Sequence, residues 1–327
     1  MIPIIRYLLQ GGPNPFGLHD DKDPILHDLR SHDGITEPFR EIPNKDLQFR
    51  DSHGCTLLLT ACSRSQGSYI NNEDLEYLET LPTTTASLPA KGAKTKALDI
   101  NNRNALHCVL ASISNSKMLQ LDFDSLISHP SASDLVIQAD DSGTRGCKKT
   151  ALLYALENQH LWAIDTLLEK GADHGYSDYE GNTALHLLSK YLASNKKAKT
   201  HFKKFLSVGI PIEARNSSGE TPLFVYMAHS TQYLKRLPVF TNAAANLIIK
   251  NRKGQNLLHV IAGKEITRDR FWGRWEEEKR DPEVEIFSHL MEEGLDAASE
   301  DDEQRTPLDL AVAAGNQQIL GLFERKR

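Results

Sequence analysis

The chain is short of several residue types, and each shortage removes a class of protein. Only four cysteines, Cys55, Cys62, Cys108 and Cys147, occur in 327 residues. They are too sparse for a disulfide framework, and none forms a Cys-x-x-Cys pair or lies near a His pair at zinc spacing. Free, mostly buried thiols in a reducing compartment are expected, which places the chain inside the cell, in cytoplasm or nucleus. No apolar run approaches the roughly 20 residues needed to cross a bilayer, so no membrane association is expected. The stretch Met1-Ile-Pro-Ile-Ile-Arg-Tyr-Leu-Leu9 has too short an apolar core for a signal peptide, and no small-residue cleavage site follows it. Cations are not in excess either. A net charge of −6 argues against general nucleic-acid binding, which needs clustered positive charge to displace counterions.

Catalytic signatures are missing as well. There is no Gly-x-Ser-x-Gly and no kinase motif set. Gly11-Gly12 is followed by no Gly-Lys-Ser/Thr, and the acidic runs at Asp20, Asp21 and Asp23 and at Glu300, Asp301, Asp302 and Glu303 lack calcium-loop spacing. These runs read as solvated turn tips. No catalytic residue, cofactor or metal site is assigned, and the chain is not expected to be an enzyme.

What is present is a repeat. Gly171-Ala-Asp-His-Gly-Tyr-Ser-Asp-Tyr-Glu-Gly-Asn-Thr-Ala-Leu-His186 returns in outline as Gly209-Ile-Pro-Ile-Glu-Ala-Arg-Asn-Ser-Ser-Gly-Glu-Thr-Pro-Leu-Phe224. Equivalent positions are Asp23, Thr56, Asn104, Thr150, Thr183, Thr221, Asn256 and Thr306, separated by 33, 48, 46, 33, 38, 35 and 50 residues. Thr or Asn there caps a helix by accepting a backbone N–H. Pro24, Pro222 and Pro307 follow in the first helical turn, where a missing donor costs nothing. Glycines at 54, 181, 219 and 254 supply the positive φ of a tight turn. Second helices are expected around Leu75–Leu78, Phe123–Ile127, Leu161–Leu168, Phe202–Leu206 and Ile286–Met291, where apolar residues recur at about helical period.

On these motifs the chain resembles the ankyrin repeat family over nearly its whole length, with best agreement between Thr150 and Gly254 and at 301–323. The resemblance implies an all-α solenoid of about seven or eight helix-turn-helix units with β-hairpin tips, forming one array over 1–327. Residues 1–19 read as a partial first repeat or cap, 83–98, 128–147 and 264–284 as insertions, and 301–327 as a C-terminal capping repeat. The first two insertions read as loop and the third as partly helical. The resemblance makes His27, His107, His186 and His259 structural, bonded to the Thr hydroxyl or to an adjacent unit. Spaced one per repeat, they cannot converge on one ion or substrate.

The family recognises other proteins through its tips and first helices. The implied function is a non-catalytic scaffold or adaptor, acting as a monomer on a protein partner. An alternative is the recognition module of a larger enzyme or regulator whose upstream part is absent. A further rival, an enzyme with a site beside the 264–284 insertion, would need convergent polar groups there. Transferred by register, the free tip positions are Arg50, Ser52 and His53; Ser177, Tyr179 and Glu180; Arg215, Ser217 and Ser218; Lys250, Arg252 and Lys253; Glu300, Asp302 and Glu303. A basic tip thus precedes an acidic one. Phe271, Trp272 and Trp275, with Arg270 and Arg274, form a second candidate, because aromatic and Arg side chains concentrate at binding hot spots. A lid folded back on the stack is the competing account of these aromatics.

Overall fold

The computed structural model describes residues 48, 50, 53–63, 89, 93–113, 117–141, 148–230, 232–264 and 282–324. They are helix, turn and irregular chain, with no strand among them and one isolated bridge between Ala139 and Thr150. None of the described helices is long and apolar enough to cross a membrane. The chain divides into two compact units, Met1–Tyr179 and Glu180–Arg327.

The first unit contains α1 (Leu57–Cys62), α2 (Ala105–Leu110), α3 (Lys117–Ile127), α4 (Ala132–Ile137), α5 (Ala151–Glu157) and α6 (Ile164–Glu169). Every residue of α1 and α2 is buried. Such short helices, covered on all sides, must be sandwiched. Accordingly α2 packs on α1 and α5, with α3 and α4 also against it, and α6 packs on α5. The expected caps are in place. Thr56, Asn104 and Thr150 accept from the N–H of Leu59, His107 and Leu153 at 3.5, 3.0 and 3.4 Å. Cys55, Cys62 and Cys108 are buried, and burial raises the thiols of Cys62 and Cys108, the latter to about 11.

The second unit contains α7 (Ala184–Ser189), α8 (Lys196–Ser207), α9 (Pro222–His229), α10 (Tyr233–Arg236), α11 (Pro238–Thr241), α12 (Leu257–Ala262), α13 (Pro282–Glu292), α14 (Pro307–Ala314) and α15 (Gln317–Glu324). Helices α7, α9, α12 and α14 pack one on the next in chain order. Outer helices cover them, α8 on α7, α13 on α12 and α15 on α14. Edge-on aromatic pairs join outer elements, Phe202 to Phe240 at 5.1 Å and Phe287 to Phe323 at 6.1 Å.

The structure corrects several expectations. The 128–147 segment is not all loop, because Ala132, Leu135 and Val136 recur at helical spacing and are buried as the inner face of α4. Residues 93–98 are tied to it, Thr95 to Ser131 at 2.7 Å and Lys96 to Asp134 at 2.6 Å. The helix expected from Leu161 begins at Ile164, because a turn bond from Ala163 N to His160 O (2.9 Å) precedes it. Among the described residues the turn arms do not form β-strands. They close with two backbone bonds each, such as Asn216 N to Glu220 O at 3.0 Å with Gly219 N to Asn216 O at 2.9 Å, too few for a ladder. The unit at Asp23, the partial repeat at 1–19, the helix at Leu75–Leu78 and Cys147 lie outside the described residues. So does most of 264–284, although its last residues begin α13.

Candidate functional site

The turns that precede α2, α9, α12 and α14 share one construction. A buried Asx residue accepts two backbone N–H groups, two and four residues ahead, in an Asx-turn. Asp99 Oδ1 accepts from Asn101 and Arg103, both at 2.9 Å. Asn216 does so from Ser218 and Glu220 at 3.0 and 2.9 Å, Asn251 from Lys253 and Gln255 at 2.9 and 3.0 Å, and Asp301 from Glu303 and Arg305, both at 3.0 Å. These bonds satisfy amides that a tight turn would otherwise leave unpaired.

Successive tips are joined by backbone. In the first unit Ile100 N donates to His53 O at 3.1 Å and Asp141 N to Asn101 O at 2.9 Å. In the second, Ser217 N donates to Glu180 O at 2.7 Å, Arg252 N to Ser218 O at 2.9 Å and Asp302 N to Lys253 O at 3.0 Å. So close an approach needs glycine. Gly219 has φ +73°, and a Cβ there would stand 2.8 Å from Arg252 N.

The histidines complete the frame. Nδ1 of His107, His186 and His259 accepts the backbone N–H of its own cap residue, Asn104, Thr183 or Asn256, at 3.1–3.2 Å. Their Nε2 atoms therefore carry the proton, donating to Gln138 O, Glu220 O and Arg305 O at 3.1, 3.0 and 3.0 Å. Each ring thus fastens a helix start to chain further on, the end of α4 for His107 and the turns before α9 and α14 for His186 and His259, and accepting at Nδ1 calls for the neutral ring. Burial agrees: it lowers His107 to about 4, and it also lowers His160 and His259. His27 lies outside the described residues.

Not all of the expected tip side chains are free. Arg50 bonds to Gly54 O and Leu98 O. Arg215 donates to Gly219 O and Lys250 O at 2.8 and 2.9 Å, Arg252 to Ser217 O at 2.7 Å, and Lys250 to Glu300 O at 3.1 Å. Carbonyls aligned at the tip edge draw these cations in, so they brace the row. Glu303 pairs with Arg305 at 2.9 Å. Glu180 accepts from Asn182 at 3.0 Å, and the half-exposed Tyr179 ring faces Lys149 Nζ at 5.7 Å. Lys253, Glu300 and Asp302 remain exposed with no side-chain bond among the described residues. Lys253 and Asp302 lie on tips joined by a backbone bond, so the basic-to-acidic step is present there. Arg270, Trp272, Arg274 and Trp275 lie outside the described residues.

A tip-by-tip reading of charge misses α8, where Lys196, Lys197, Lys199, Lys203 and Lys204 share one helix. The signal was available as a run from 181 to 212 with six lysines and no carboxylate. Among the described residues no group of three or more His, Cys, Asp or Glu side chains is arranged to hold a metal ion. No protein-family model matches this chain.

Proposed function

We propose that the chain is an ankyrin-type repeat array that works, without catalysis, as a recognition module for another protein. The row of turn tips is its presenting edge. The observation that carries this reading is the run of tip-to-tip backbone bonds from Glu180 through Ser217, Ser218, Arg252 and Lys253 to Asp302. Tips held in this way keep their spacing before a partner arrives, so docking loses little ordering entropy. Lys253 and Asp302 then offer opposite charges at fixed positions, which orients a partner and rejects the reversed arrangement.

The test is affinity capture with the intact chain, followed by mass spectrometry and a direct binding titration of the captured protein. Exchanging the charges, as Lys253→Glu with Asp302→Lys, is expected to weaken that complex about tenfold or more while leaving thermal unfolding nearly unchanged. Undiminished binding by the exchanged variant would remove the tips from the recognition surface.

A further inference from the structure

Positive charge is concentrated in one part of the second unit. Between 181 and 264 there are thirteen Lys and Arg residues against two Glu, a local charge of +11 in a chain whose total is −6. Its densest element is α8. Ala198, Phe202 and Phe205 are buried there, and the lysines occupy the opposite arc. Lys196, Lys197, Lys199 and Lys203 make no ion pair or hydrogen bond through their ammonium groups among the described residues.

This arrangement is unfavourable by itself. Lys199 and Lys203 are one turn apart, as are Lys196 and Lys199, and like charges at these spacings repel. Lys196 and Lys197 also occupy the first turn, at the positive end of the helix dipole, where no acidic residue offsets them. The basic helix α10 adds to the field. Arg236 donates to Leu192 O at 3.2 Å, which fixes α10 against the segment leading into α8.

We propose that the lysine face of α8 is a docking surface for an acidic, carboxylate-rich segment of a partner protein. The occupant follows from the chemistry of the face. Lysine supplies compact point charges, so the face selects an acidic partner by charge rather than by two-pronged geometry. No aromatic residue is exposed on α8 to stack a nucleobase. Screening confines the attraction of the face to about 8–10 Å, so a short acidic segment stays within the local field. At about 1.5 Å per residue α8 is about 18 Å long, a length that about six extended residues match. The proposal rests on the reading of this chain as a recognition module, but uses a different surface from the tips.

The experiment is fluorescence anisotropy on the intact chain with three labelled probes. They are a peptide alternating Glu and Ala, the same peptide with Gln for Glu, and a single-stranded DNA of equal length. The glutamate peptide is expected to bind in a salt-dependent way and the glutamine peptide not to bind. The triple variant Lys196→Gln, Lys199→Gln, Lys203→Gln should bind the glutamate peptide about tenfold more weakly, with an unfolding temperature equal to or above that of the parent. The triple variant Lys94→Gln, Lys148→Gln, Lys170→Gln changes net charge equally in the first unit and should bind like the parent. The single Lys203→Gln variant provides the same reading, at smaller amplitude, if the triple variant unfolds. Equal loss in both triple variants, unchanged binding in the α8 triple, or tighter binding of DNA than of the glutamate peptide would overturn the proposal. Loss confined to Lys253→Glu with Asp302→Lys would overturn it too, while leaving the tips as the recognition surface.

Discussion

In the first unit the buried acceptor of the turn before α2 is Asp99, and Arg103, four residues on, closes an ion pair with it at 2.7 Å. In the second unit the turns before α9 and α12 use Asn216 and Asn251 instead. Four residues on stand Glu220 and Gln255, whose side-chain oxygens accept from the amide NH2 groups at 3.2 and 3.3 Å. Asp301, before α14, restores the carboxylate, and Arg305 returns with it at 2.9 Å. One oxygen of the Asx side chain does the geometric work in every case. The other atom, oxygen or NH2, selects a cation or an acceptor as its neighbour. Turn shape is therefore independent of charge only so long as the two positions change together.

The largest effect expected concerns the histidine that links α2 to the end of α4. His107 is buried and its folded pKa of about 4 lies below the unfolded value, so the unfolded chain takes up the proton first. Its contribution is complete above about pH 6.5 and is lost as pH falls towards 4, on the order of 3 kcal/mol. The turn carboxylate follows a separate window. Although burial opposes its charge, hydrogen bonds from Arg305, Gln255 and the Glu303 N–H hold Asp301 well below the usual carboxylate range. Its contribution is lost only below about pH 4. Urea unfolding of His107→Gln should slope less steeply than the parent between pH 6.5 and 4, because Gln can keep the capping bond without titrating while His160 and His259 still lose stability there.

Next in size is the close approach of tips. Gly219→Ala is expected to cost about 2 kcal/mol or more, from left-handed strain plus the contact with Arg252. Gly209, with φ +96° and nothing within 4 Å of its Cβ position, should cost only about 1 kcal/mol on the same change. Equal losses in chemical denaturation would mean that the rungs add nothing. The smallest effect tests the charge pairing itself. Asn251→Asp should destabilise by about 1 kcal/mol by placing a carboxylate beside Gln255, and Gln255→Arg in the same chain should restore most of it. A double-mutant cycle with no coupling would break the proposed link between the two turn positions.

Much of this frame was legible in the residues. Thr56, Asn104, Thr150 and Asn256 announce helix starts because a short side-chain oxygen before an apolar run has one strong use. Thr183, Thr221 and Thr306 stand at equivalent starts. Glycines at the tips were equally plain. Less legible was α4, whose Ser and Asp residues resemble a loop until Ala132, Leu135 and Val136 are seen to need a common buried face. The destiny of Arg215, Lys250 and Arg252 was not readable at all. A cation at a turn looks free in sequence, and only the neighbouring tip's carbonyl, 35 to 50 residues away, shows otherwise.

The rungs carry a consequence for how such a chain tolerates growth. Lys253 and Asp302 are separated by more chain than Glu180 and Ser217, yet the bond that joins each pair is of the same kind. Pitch along the edge is set by amide-to-carbonyl reach and not by the number of residues between. Extra polypeptide can accumulate behind the edge, as an outgrowth, without disturbing the interval at which neighbouring turns are offered.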